Sequence, residues 1–219
     1  DGTITAQVSA NVDAGFSIVS WTGNNLSNAT IGHGLNSTPE ITIIKKRTSN
    51  VYALGWQINL DSSITGTEGY FNFDTAAMYT TFPNYYTSAN STVLSTNGAN
   101  STERQYNNQL EDYIAYCFHS VAGFSKIGSY TGNGGTNPIT TGFEPAFLLV
   151  KRTNTADNWT LVDNKRGVSN SLFPDSPSQE LGNSNAVSFN STGFAINTAA
   201  GGWNASGSTY IYMAFANQF

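Results

Sequence analysis

Two histidines, His33 and His119, and one cysteine, Cys117, are the residues of this 219-residue chain best suited to nucleophile or base chemistry near neutral pH. A nucleophilic triad needs a base beside a serine or cysteine. Cys117 and His119 stand two apart in YIAYCFHS, a spacing that places both side chains on one face of a strand. No oxyanion-hole motif accompanies them, and the alternation of that segment buries Cys117 as a small core hydrophobe. A lone cysteine also excludes an internal disulfide. Two histidines and one cysteine make no zinc-ligand cluster, and no Asp-x-Asp-x-Asp-Gly run is present for calcium. The 14 acidic residues lie mostly beside Gly, Pro, Asn or Ser, and no pair stands out as the two carboxylates of a glycosidase. Gly132-Asn133-Gly134-Gly135 has the glycines of a phosphate loop without the following Lys-Ser/Thr or the helix, and reads as a turn. A non-enzymatic protein without metal or cofactor is expected.

The aromatic residues offer a different chemistry. Trp21, Trp56, Trp159 and Trp203, with 11 tyrosines, would supply flat surfaces on which the apolar faces of sugar rings stack. Trp56 and Trp159 each follow a long apolar run at nearly the same interval, which assigns them to a core. Trp21 is replaced by Tyr130 at the matching place, and Trp203 lies in the glycine-rich AAGGWN. Trp21, Tyr130 and Trp203 are therefore the candidate ligand contacts, with Trp21 and Trp203 expected to be exposed.

The elements that must position these residues occur twice. AGFSIVSWTGN from Ala14 is answered by AGFSKIGSYTGN from Ala122. Pro39 matches Pro145, Arg47-Thr48 matches Arg152-Thr153, Trp56 matches Trp159, and Tyr113-Ile114 matches Tyr210-Ile211. The anchors keep their order while the intervening loops shrink, as a duplicated fold leaves them, because strands constrain packing and surface loops tolerate insertion. Strands are expected at Gly15–Trp21, Pro39–Thr48, Val51–Leu60, Tyr70–Phe73, Tyr113–Phe118 and at their counterparts Phe124–Tyr130, Pro145–Thr153, Trp159–Asp163 and Thr209–Ala216. Residues 9–13 read as a linker and 97–112 as a polar surface loop. The predicted fold is all-β: two tandem, duplicated antiparallel β-sandwich (jelly-roll-like) units packed together, with a lead-in at 1–13, a first repeat at 14–121 and a second at 122–219.

Composition agrees. Charged residues are 11% of the chain, against roughly 25% in typical globular proteins, and Asn, Thr, Ser and Gly take their place. These residues favour turns and short strands over helices. The net charge is −5, and Lys45-Lys46-Arg47 is the longest basic run, so neither nucleic acid nor an anionic membrane is an expected partner. No apolar run is long enough to insert in a bilayer as a helix. A chain that begins at Asp1 without a signal-like leader is expected to be a processed form or a fragment of something longer. Eight Asn-x-Ser/Thr sequons occur, Asn90, Asn190 and Asn204 among them.

Taken together, AGFSIVSWTGN, IGHGLNSTPEITIIKKRT, AGFSKIGSYTGNGG, TGFEPAFLLVKRT, NWTLVDNKRG and YIYMAFANQF resemble a repeat domain of tail-fibre and other virion surface proteins of tailed phages, especially marine ones. The resemblance covers nearly everything from residue 14 onward, and no site residue carries over with it. It implies a structural and host-receptor (glycan) binding role at the virion surface, with homo-oligomers and other virion or appendage proteins as partners. The alternative is an extracellular carbohydrate-binding module, or an adhesin or filament subunit of a cell surface. The first repeat departs from the pattern in its last strand and its longer loops, so a contact surface would belong to one unit.

Overall fold

The computed structural model describes residues 2–26, 28–48, 57–66, 69–73, 75–77, 80–81, 86–87, 89–96, 106–182 and 185–217. The chain divides into two compact units, Asp1–Asn72 with Thr80–His119, and Phe73–Tyr79 with Ser120–Phe219. The division falls within two residues of the expected boundary, but a short segment of the first half is counted with the second unit.

The first unit contains β1 (Ala6–Asn11), β2 (Phe16–Thr22), β3 (Ala29–Gly32), β4 (Ile41–Lys46), β5 (Gln57–Leu60), the single helical turn α1 (Ser62–Thr65), β6 (Gly69–Asn72), β7 (Thr80–Thr81), β8 (Tyr86–Thr87), β9 (Val93–Thr96) and β10 (Asp112–Phe118). Its larger sheet runs β1-β2-β10-β4-β5-β6-β7 and its smaller one β3-β9-β8, with every ladder antiparallel. Alternation in β2 turns Ser17, Val19 and Trp21 inward. They join Ile44, Tyr113, Ala115 and Cys117 of the same sheet and meet Ala29, Ile31 and Leu94 of the smaller one. A core held between two sheets makes this unit a β-sandwich.

The second unit contains β11 (Ser125–Thr131), β12 (Asn137–Thr140), β13 (Pro145–Arg152), β14 (Thr160–Asp163), β15 (Asn170–Ser171), β16 (Leu181–Gly182), β17 (Val187–Asn190), β18 (Gly193–Ile196), the helical turn α2 (Gly201–Asn204) and β19 (Thr209–Ala216). One sheet runs β11-β19-β13-β14 and another β12-β18-β17, while β15 and β16 form a small ribbon. Leu148, Val150, Val162, Tyr210, Tyr212 and Ala214 face Val187, Phe194 and Ile196 across this core. The protein is all-β and antiparallel, with helix confined among the described residues to α1 and α2.

Strand order agrees between the units: β2-β10-β4-β5 corresponds to β11-β19-β13-β14, and β3-β9-β8 to β12-β18-β17. Register agrees as well. Tyr113 pairs with Trp21 on one side and Lys46 on the other, as Tyr210 pairs with Tyr130 and Arg152. That pairing corrects one sequence match, because Lys46, not Arg47, stands where Arg152 stands. Arg47 corresponds to Thr153: the Arg47 amide donates to the Asp112 carbonyl at 2.7 Å and the Thr153 amide to that of Thr209 at 2.9 Å. The β15–β16 ribbon, bridged to β14 through Leu161 and Leu172, stands where β6 and β7 stand beside β5, whereas β1 has no counterpart among the described residues of the second unit.

Three other expectations change. Residues 9–11 are no linker but the end of β1, paired as far as Asn11↔Phe16. Tyr106 and Asn107, in the stretch read as a surface loop, are buried. The strand expected at Val51–Leu60 is seen as β5 from Gln57, and its earlier part, with Trp56, lies outside the described residues.

Each sandwich is closed at one end by a buried asparagine. Asn107 accepts the Asn24 amide at 2.8 Å and donates to Asn24 Oδ1 at 3.0 Å and to the Leu26 carbonyl at 2.9 Å. Asn204 accepts the Asn133 amide at 2.9 Å and Asn137 Nδ2 at 3.0 Å, and donates to Asn133 Oδ1 at 3.0 Å and the Gly135 carbonyl at 2.6 Å. The glycine of each Thr-Gly-Asn lets the loops approach: a Cβ at Gly23 would lie 2.1 Å from the Asn108 carbonyl oxygen, and one at Gly132 2.2 Å from that of Ala205. The hydroxyls of Tyr113 and Tyr210 complete the closure, accepting the amides of Asn108 at 3.1 Å and Ala205 at 2.9 Å.

Removing such an amide leaves at least two buried groups without partners, each worth roughly 1–3 kcal/mol. Asn204→Ala and Asn107→Ala are each expected to lower unfolding free energy by about 2–4 kcal/mol, read by urea denaturation. A loss below about 0.5 kcal/mol, the range of ordinary surface substitutions, would show that the closure is incidental.

Candidate functional site

The aromatic residues favoured as ligand contacts belong to these closures. Trp21 is 4% exposed, stacks on Tyr113 at a centroid distance of 5.3 Å, and donates Nε1 to the Tyr106 carbonyl at 3.0 Å. Trp203 is also 4% exposed, because α2 folds it into the core of the second unit. Tyr130 is half-buried, stacks on Tyr210 at 4.9 Å and donates its hydroxyl to the Trp203 carbonyl at 2.6 Å. The stacked faces and polar atoms of Trp21 and Tyr130 are engaged in packing and the Trp203 side chain is buried, so the expectation that Trp21 and Trp203 are exposed is corrected. The sequon asparagine Asn204 is likewise wholly buried.

The titratable groups singled out for chemistry are also enclosed. Cys117 is buried on the core face of β10, and burial pushes its thiol up to about 12, well away from the range of a reactive thiolate. His33 is buried between β3 and β4; its Nε2 bonds the Asn90 carbonyl at 2.9 Å and its Nδ1 accepts the Leu35 amide at 3.2 Å. Donation from Nε2 with acceptance at Nδ1 is the pattern of a neutral imidazole. Burial lowers its pKa, against the opposing effect of the Asn90 carbonyl. Among the described residues no three of His, Cys, Asp and Glu converge as metal ligands.

Lys151, which the sequence marked only as part of a strand, is fully buried in the second unit. Its Nζ donates to the Asp157 carbonyl at 2.5 Å and the Ala76 carbonyl at 3.2 Å, and Phe73 meets Trp159 edge-on at 5.2 Å. The lysine thus ties Ala76 to the end of β13. Burial draws its ammonium down to about 8, against the attraction of Asp175 and Asp157.

The remaining feature is an open groove of about 300 Å³ at one end of the larger sheet of the first unit. Thr5, Gln7, Ser20, Thr22, Arg47 and Asp112 line it, with Ala6, Trp21 and Tyr113 beside them. Since Val19, Trp21 and Tyr113 face the core, alternation puts Ser20, Thr22 and Asp112 on the opposite face of the sheet. Gln7 pairs with Ser20, and Thr22 with Asp112, so three neighbouring strands contribute. Thr22 Oγ1 donates to Asp112 Oδ1 at 2.7 Å, and Arg47 is exposed. Of the residues at the groove the sequence singled out Trp21 as a ligand contact but none of the polar ones, because those meet only through strand pairing.

The buried lysine generates a pH dependence. An unfolded lysine keeps its proton to near 10.5, so between pH about 8 and about 10 the unfolded chain binds more protons here than the folded one, and stability rises with pH. Above about pH 9 the Cys117 thiol, which burial pushes up to about 12, opposes this trend, and above about pH 10 Tyr113, also raised to about 12, adds to the opposition, because unfolding releases both protons. From pH 8 to 10 the stability of the protein relative to Lys151→Met, read by thermal melts of both, is expected to rise by on the order of 2 kcal/mol, the opposing thiol and phenol being common to the two. An identical slope in the variant would assign the effect elsewhere.

No curated protein and no solved structure matches the chain. Its sequence matches, over residues 1–218, the family described as Domain of unknown function (DUF7483). A match of that extent takes in both units, and the chain belongs to this family.

Proposed function

We propose that the protein is a non-enzymatic virion surface component, of the tail-fibre or appendage kind, whose sandwiches are rigid scaffold and whose role includes contact with a host glycan. The observation that carries this reading is the groove of the first unit. It is open to solvent and lined by hydroxyls, an amide, one carboxylate and one guanidinium on a sheet face. Such a set binds polar ligands by hydrogen bonds. Glycoside cleavage uses two carboxylates across the scissile bond, and this groove presents one. The virion setting rests on the resemblance of the repeated strand motifs.

Self-association follows from the appendage reading, since fibres are built from identical copies. Light scattering on the purified chain is expected to give a multiple of 23.4 kDa, and an antibody against it to decorate appendages of the particles that carry it. A monomeric mass together with unlabelled particles would favour the extracellular carbohydrate-binding module. Reducing-sugar release from any member of a glycan panel would overturn the non-enzymatic reading.

A further inference from the structure

We infer that the groove of the first unit is a binding site for one neutral sugar ring, held by the Asp112 carboxylate and the Arg47 guanidinium side by side, with Gln7, Ser20 and Thr22 around them. This rests on the glycan-contact reading above and names where the contact is made and by what chemistry.

The two units provide the comparison that carries the inference. They share strand order and register, so matching positions differ only in what the scaffold leaves free. Thr22 keeps its counterpart, Thr131, and Ser20 keeps Ser129. Asp112 corresponds to Thr209, and Arg47 to Thr153. In the second unit the Thr153 and Thr209 hydroxyls bond each other, and Thr153 Oγ1 also donates to the Thr209 carbonyl at 3.1 Å. That pair is satisfied within the sheet, and the strand beside it, β11, has no outer neighbour because it ends its sheet. In the first unit β1 and the residue before it add Gln7 and Thr5, and Arg47 and Asp112 stand in place of the two threonines. The scaffold closes without either change, as the second unit shows.

The chemistry of the lining selects the ligand. Each sugar hydroxyl is both donor and acceptor, and adjacent hydroxyls are best met by an acceptor and a donor placed together. Asp112 accepts and Arg47 and Gln7 donate. Thr22 gives its proton to Asp112 Oδ1, which fixes the carboxylate and leaves Oδ2 without a hydrogen bond among the described residues. Hydrogen bonds involving charged groups are the stronger kind. The two charges sum to zero, so an anionic sugar would meet Asp112 and a cationic one Arg47 with one unfavourable contact each. A volume of about 300 Å³ is at the low end for small-molecule sites, which suits a single ring and not a long buried chain.

The test is a titration of the full chain with methyl glycosides of glucose, galactose, mannose and N-acetylglucosamine, with glucuronate as the charged comparison, followed by backbone amide chemical shifts. At least one neutral glycoside is expected to move the amides of Gln7, Ser20, Thr22, Arg47 and Asp112 at millimolar concentration. The amides of Ser129, Thr131, Thr153 and Thr209 should stay in place. Arg47→Ala combined with Gln7→Ala, both at exposed positions, is expected to weaken that binding about tenfold or more with an unchanged melting temperature. Asp112→Asn provides a second variant that keeps the side-chain shape. The inference is overturned if no neutral glycoside moves the groove amides, if glucuronate binds in preference, or if the variants bind as tightly as the parent. Undiminished attachment of the double variant to glycan-coated surfaces would remove the groove and leave the surface-contact reading standing. Groove binding by a chain that proves monomeric and absent from particles would do the reverse.

Discussion

One buried amide in each unit substitutes for backbone pairing where the sheets run out. A loop that ends a strand leaves main-chain groups that must find partners, since a buried unpaired amide or carbonyl costs as much as a lost hydrogen bond. Asn107 and Asn204 supply both a donor and an acceptor in the geometry of a peptide, and each grips the asparagine of a Thr-Gly-Asn turn through both its backbone and its side chain. The rest of each sandwich end is arranged around that grip. The glycine admits the opposing chain, the tyrosine hydroxyl takes the next amide, and a stacked aromatic pair fills the space beneath. Position and polarity of the closing residues are thereby fixed together, which explains why the Thr-Gly-Asn motif and the Tyr-Ile pair recur with the same register.

The strands were legible because their physics is local. Alternation in Phe16–Thr22 and Thr209–Ala216 is visible within a few residues, and glycine, proline and asparagine mark where it stops. Burial of Asn107 was not legible. It sits in a polar run, and its partner Asn24 is 83 residues away. A polar side chain goes inside only when its whole complement of partners is assembled, and no window of sequence displays that complement. The same reason misled the reading of Trp203: a tryptophan after two glycines looks unrestrained until α2 turns it inward. For the groove the failure was one of register. Aligning Arg47-Thr48 with Arg152-Thr153 put Arg47 at the position of a scaffold residue, whereas strand pairing moves it by one and so onto the opposite face.

Lysine at positions 46 and 151 shows how similar sequence can serve different ends in the two sheets. Lys46 faces inward and forms an ion pair with Glu111 at 3.1 Å, also bonded by the Thr48 hydroxyl. At the matching place Arg152 bonds the Ser208 hydroxyl at 2.6 Å. Lys151 lies on the other face and is saturated by carbonyls instead. A cation enclosed by carbonyl oxygens with carboxylates at a distance is partly compensated, which is why burial lowers its pKa without forcing it far below neutrality.

Leu110 separates folding from use. It has φ 62, in the left-handed region, and is 79% exposed. The corresponding residue in the second unit is Gly207, with φ 75, and each donates its amide across the closure, Leu110 to Gly23 and Gly207 to Gly132. The hydrogen bond sets the conformation, and glycine adopts it without strain, whereas a leucine there costs about 1–2 kcal/mol. Exposure means that no burial of its side chain offsets the cost. Stability of the first unit alone would favour glycine or asparagine at this position, two residues before Asp112. The departures of the first unit from the shared scaffold, namely β1, Arg47, Asp112 and Leu110, thus include one that works against folding. Packing accounts for what the two units have in common and not for where they differ.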